Sequence, residues 1–188
     1  MKGALIVLGV VVLILLVLGG RVIGDRNSLV TERNEIDARW AQVDNDIKRR
    51  ADLIPNLVET VRGYAKQEQT VFGEIAQARA SLLGARSKQD EINANNQLSG
   101  ALGRLLVIQE RYPDLKSNEN FLRLQDELAG TENRIAVSRR DYNEAIKRYN
   151  TDIELFPKNI AASIFGFKQD DAYFKTTEQE RKVPSVKF

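Results

Sequence analysis

Apolar side chains fall along this chain in two patterns. From Gly3 to Gly20 they run unbroken, as GALIVLGVVVLILLVLGG, between Lys2 and Arg21. At about 1.5 Å rise per residue a helix over this run spans roughly 27 Å, close to the hydrocarbon thickness of a bilayer. The pattern predicts a single transmembrane anchor over residues 1–24, marked by Gly3, Leu8, Leu13, Leu18 and Gly20. A cleaved secretory signal has a shorter apolar region and a small-x-small site. The nearest approximation here is Val17-Leu18-Gly19, so the anchor is expected to stay attached.

Beyond Arg21 the apolar residues recur at steps of three and four, the period of a helix with one buried face. The link VIGDRNS allows the anchor helix either to continue or to break. Leu29, Ile36, Trp40, Val43 and Ile47 then form the seam of a helix over about 27–51. Glu35/Arg39, Asp44/Lys48 and Asp46/Arg50 stand four apart on its wet faces. Pro55 lacks an amide proton and costs about 3 kcal/mol inside a helix. The expectation is therefore a reversal near Asp52–Pro55, a second helix over 55–83 antiparallel to the first, and Trp40 in their shared core. Against this, Ile54, Leu57, Val61, Tyr64, Val71, Ile75 and Leu82 continue the same seam, which keeps one long helix kinked at Pro55 as the alternative.

Gly84 marks the end of the second helix, and Ser87 with Asp90 reads as a capping box for a third over 88–111. Gly63 and Gly73, inside the second helix, point either to close helix approach or to tolerated weakness. Pro113 supplies the next turn. A fourth helix over 118–156 carries Phe121, Leu128, Ile135, Tyr142, Tyr149 and Phe156 every seven residues, and Pro157 ends it. The tail, 158–188, holds Phe165, Phe167, Tyr173, Phe174 and Phe188. It is too apolar for a disordered polyampholyte, so it is expected to pack on the bundle or dock on a partner. The fold class is all-α: one N-terminal transmembrane helix, an antiparallel four-helix bundle over 25–157, and an aromatic-rich tail.

Composition narrows the function. Mean hydropathy is −0.35, so the part outside the anchor is polar. The 28 Lys and Arg nearly balance 26 Asp and Glu, which gives no basis for nucleic-acid binding. With no cysteine there is no disulfide, thiolate chemistry or lipoprotein attachment site. With no histidine the commonest metal ligand and neutral-pH general base are missing, and Glu-x-x-His di-iron ligation cannot be built. No cofactor or metal is expected. Asp37, Asp44, Glu59 and Glu68 are the carboxylates a ligand-binding or enzymatic bundle would have to use. Glu68 stands out because it falls on the second seam, with water at the bundle's end or Arg50 or Arg139 as its counterpart.

Three stretches carry a family likeness: RRADLIPNLVETVRGYA at 49–65, LGRLLVIQERYPDLKSNENFLRLQDEL at 102–128 and YNEAIKRYNTDIELFP at 142–157. In these the chain resembles the LemA family of bacterial membrane proteins. Small departures are Arg26 before Asn27, where the family often has tyrosine, and the absence of a histidine after Tyr64-Ala65. The resemblance implies a single-pass anchor and a four-helix bundle, with no established enzymatic activity and no catalytic residues. The family includes a protein associated with magnetosome membranes, which implies a role in membrane organisation.

The expected function is thus a non-enzymatic scaffold at the bacterial inner membrane. Its partners would be the bilayer, a membrane or membrane-associated protein, and further copies of itself as a homo-oligomer. The alternative is the carboxylate-based bundle. Arg21, Arg26, Arg33 and Arg39 after the anchor, against Lys2 before it, lean toward a cytoplasmic domain.

Overall fold

A computed structural model describes residues 2–175. Among these the chain is entirely helical, with no strand: α1 (Lys2–Tyr64), α2 (Gln69–Leu83), α3 (Lys88–Gln109), α4 (Pro113–Lys116), α5 (Glu119–Glu154) and α6 (Lys158–Phe165). Two compact units emerge. The first combines Met1–Ala41 with Arg140–Tyr173, and the second combines Gln42–Arg139 with the described residues from Phe174. α1 and α5 contribute to both.

In the first unit, α1 begins with the apolar run, none of which is buried by protein. Its seam is then covered, with Leu29 and Ile36 0–1% exposed. From α5 come Tyr142, Ala145, Ile146, Tyr149 and Ile153, all buried on the stripe their spacing predicts. Trp40 packs on Tyr142 with ring centroids 5.1 Å apart. This corrects the expectation that Trp40 is shared with a returning second helix. Phe156 also departs from its heptad: α5 ends at Glu154, and the ring beyond it is 79% exposed.

In the second unit the core is Val43, Ile47, Ala51, Ile54, Leu57 and Val61 of α1, with Phe72, Ile75 and Leu82 of α2, Leu98, Leu102 and Leu105 of α3, and Phe121, Leu124 and Ile135 of α5. The expected turn at Pro55 is not there. Pro55 lies inside α1, and the chain reverses at residues 65–68. A proline frees the carbonyl four residues before it, here that of Ala51, a fully buried residue. Arg79 of α2 donates its Nε–H to that oxygen at 2.9 Å and restores the lost bond. The continuing seam therefore prevails over the proline penalty, because a side chain 24 positions later supplies the missing donor.

Other local signals hold. Ser87 accepts from the Asp90 amide at 3.1 Å and donates to its carboxylate at 2.7 Å, capping α3. Gly84 follows the last residue of α2. Asn118 accepts from the Phe121 amide at 2.9 Å at the start of α5. Pro113, expected in a plain link, opens the one-turn α4, where a missing N–H is harmless. No helix presses on Gly63 or Gly73, since a Cβ at either would meet open space.

Candidate functional site

The anchor positions Gly3, Leu8, Leu13, Leu18 and Gly20 share the first five turns of α1, and the three leucines are 57–62% exposed. With the backbone's polar groups satisfied within the helix and the apolar side chains turned outward, this segment is long and apolar enough to cross a membrane.

The sequence-predicted carboxylates do not converge. Glu59 pairs with Arg62 at 2.8 Å on the surface of α1. Glu68 sits in the reversal after α1, where it accepts from the Tyr112 hydroxyl at 3.2 Å and pairs with Arg111 at 3.1 Å. Its partners are thus neither Arg50 nor Arg139, because the later reversal carries Glu68 to the end of the unit, beside the α3–α4 link. Asp37 is exposed in the first unit. Asp44 pairs with Lys48 at 2.7 Å and faces Glu91 of α3. Burial above all, then the Asp44 carboxylate, pushes Glu91 up to about 7, with Lys48 opposing. No group of three or more metal-ligating side chains occurs among the described residues.

The most built polar feature is one the sequence reading assigned to a wet face. Arg50 and Asp46 are 6–7% exposed. Asp46 accepts from Ser138 of α5 at 2.7 Å and from Gln42 at 3.2 Å. Arg50 pairs with Glu132 of α5 at 2.7 Å and donates to Ser99 of α3 at 3.0 Å. Burial lowers the pKa of the Arg50 guanidinium, with Glu132 opposing and Arg139 adding to the effect. The signal was legible in part: residues 46, 47, 50, 51 and 54 share one helical face, so Asp46 and Arg50 fall beside the seam.

Arg50 also lines an open cavity of about 350 Å³ with Leu57, Leu102, Leu106, Leu128 and Glu132. Its Nε has no hydrogen-bond partner among the described residues. Ser99, Gln125 and Glu132 add polar atoms to the same wall, so the cavity can hold a group with both apolar and hydrogen-bonding parts.

As far as Phe174, the described part of the candidate tail packs on its own chain. Gly166, in the left-handed conformation at φ 71°, ends α6. Asn150 of α5 then brackets Asp170, donating to its carbonyl and accepting from its amide, each at 2.9 Å. Tyr149 donates to the Lys168 carbonyl at 2.9 Å, and Asn150 reaches the Tyr173 hydroxyl at 3.1 Å. Phe165 is 44% exposed, Phe167 and Tyr173 are half-buried, and Phe174 is buried with Arg139 over its ring at 4.7 Å. Phe188 lies outside the described residues.

Comparison with known proteins bears on the same regions. The LemA family model matches residues 39–188. Magnetosome protein MamQ 2 of Paramagnetospirillum magneticum is 30% identical over 175 residues, covering 79% of this chain and 64% of that protein. Magnetosome protein MamQ of Magnetospirillum gryphiswaldense is 27% identical over 169 residues, covering 76% of this chain and 62% of that protein. Protein LemA of Metamycoplasma hominis is 27% identical over 160 residues, covering 85% and 73%. The chain spans less than two thirds of the length of these MamQ relatives.

Proposed function

We propose that this chain, which belongs to the LemA family, is a non-enzymatic helical scaffold held in the bacterial inner membrane by its apolar run. One observation carries the reading: α1 passes without a break from the unburied apolar residues into the packed seam of the first unit, so the apolar run and that unit share one helix. In our reading the α1, α2, α3 and α5 segments of the second unit form an antiparallel four-helix bundle. That bundle presents its surface to membrane proteins or to further copies of itself.

Support comes from the chemistry on the page. The four candidate carboxylates are dispersed over both units, and Glu59 and Glu68 are committed to neighbouring arginines. The magnetosome names of the MamQ relatives favour a part in membrane organisation, and Arg21, Arg26, Arg33 and Arg39 favour a cytoplasmic domain. Confinement to one membrane plane raises the effective concentration of copies and makes weak lateral contacts productive.

Crosslinking in native membranes, followed by identification of what is joined to the full-length chain, tests the proposal. Recovery of the same membrane protein, or of the chain's own multimers, is the expected result. A chain that crosslinks to nothing and sediments as a monomer at every concentration in detergent would refute it.

A further inference from the structure

Among the described residues beyond the apolar run Gly3–Gly20, twelve large apolar side chains are exposed, and five of them crowd into one short stretch: Leu155, Phe156, Ile160, Ile164 and Phe165. This stretch is the link after α5 together with α6. α6 turns Ala161 and Ala162 inward, 0–4% exposed, and sets Ile160 and Ile164, one turn apart, on its open side at 45% and 63%. Such a face costs solubility unless something covers it.

Its position identifies the cover. α6 belongs to the same unit as the anchor. Lys158 at its start pairs with Glu32 at 2.8 Å and also with Asp152 of α5. Phe165 at its end lies under the Arg26 guanidinium, 5.4 Å from the ring centroid. Arg26 is six residues beyond Gly20, so it stands about 9 Å above the end of the apolar run, and Glu32 stands about 18 Å above it. A headgroup layer is roughly 5–8 Å deep on each side of the hydrocarbon. The Phe165 end of α6 is therefore held at the outer edge of the headgroup layer of the anchoring bilayer. Ile23, 57% exposed on α1, carries the apolar surface across the gap.

We propose that α6 is a membrane-docking helix, whose Phe165 end sinks Ile164 and Phe165 from the outer edge of the headgroup layer toward the acyl chains. The inference rests on the anchor reading and goes beyond it, because it gives the folded part its own contact with lipid. Eight residues are too few to bind a bilayer alone. Here the helix is pre-positioned by the anchor and clamped by Lys158, so little ordering remains to be done on contact. Arg21 and Arg26, about 1.5 and 9 Å beyond the run, bracket the headgroup layer and suit anionic headgroups.

Depth-dependent fluorescence quenching tests this on the full chain. Trp40, the sole tryptophan, is replaced by phenylalanine, and single tryptophans are introduced as Ile164→Trp or, conservatively, Phe165→Trp. Each protein is reconstituted in phosphatidylcholine–phosphatidylglycerol vesicles with or without lipid brominated near the top of the acyl chains. Leu13→Trp in the anchor and the exposed Val137→Trp serve as references. The expected result is quenching of about twofold or more at 164 and 165, a blue-shifted emission and protection from iodide, with no lipid quenching at 137. Lipid quenching at 13 but not at 164 or 165 overturns the docking helix and leaves the anchor standing. No lipid quenching at 13 overturns the anchor itself. Protection from iodide without lipid quenching, growing with protein-to-lipid ratio, would assign the face to a second copy and also overturn the proposal.

Discussion

Arg79 and Pro55 should behave as one structural device, and a double-mutant cycle can show it. Arg79→Met keeps an apolar stem of similar length but removes the Nε–H that reaches the Ala51 carbonyl at 2.9 Å. Ala51 is fully buried, so its oxygen would lose the donor that replaces the bond Pro55 cannot make. Leaving a buried acceptor unsatisfied costs about 1–3 kcal/mol. Pro55 is exposed, so Pro55→Ala gives up little packing and restores an amide proton to that same carbonyl.

The cost of Arg79→Met should therefore fall below about 1 kcal/mol in the Pro55→Ala background, with a coupling of about 1 kcal/mol or more. Urea unfolding of the full chain in detergent micelles, followed by the helical circular dichroism signal, gives the four stabilities. At a slope of about 1–3 kcal/mol per molar urea, Arg79→Met alone should lower the midpoint by roughly 0.3–3 M. Equal costs in both backgrounds, within about 0.5 kcal/mol, would refute the compensation.

Three further outcomes follow from the same contacts. Glu132→Ala should destabilise the second unit more than Arg50→Met, because the first strands a buried guanidinium whereas the second leaves a carboxylate, 47% exposed, that water can solvate; thermal unfolding of the two variants decides the order. Glu91 has a folded pKa raised to about 7 from 4.5, so its stabilising contribution is complete below pH 4.5 and is lost as pH rises through 7. Glu91→Gln should flatten that part of the stability–pH curve, and an unchanged curve would remove the group from the account. Asn150→Ala should free the backbone it brackets at Asp170, which hydrogen exchange would register as about tenfold or faster exchange at that amide, given about 1 kcal/mol per neutral bond.

The sequence was most informative where one physical rule acted alone. The apolar start of α1 needs only length and apolarity, and the seams of Leu29–Ile47 and Phe121–Tyr149 need only periodicity. Ser87 and Gly84 end helices through groups within a few residues of themselves. Pro55 was misread because the local penalty is real and its remedy, Arg79, is joined to it only by the fold. Phe156 kept the heptad in sequence, but α5 stops two residues before it. Asp46 and Arg50 looked like an ordinary surface pair at spacing four; their burial depends on Ser138, Ser99 and Glu132, brought in by helices that no local pattern positions. Glu68 went astray for the same reason as Pro55, since its neighbours change when the reversal moves from 52–55 to 65–68.

The account stands first on the apolar run remaining part of the working protein. Membranes carrying the natural full-length chain can be washed with alkaline carbonate, extracted, and the intact mass of the chain measured. The account predicts that the protein stays with the membrane pellet and that its mass includes Gly3–Gly20. Recovery in the wash, or a mass beginning near Gly20, would contradict it.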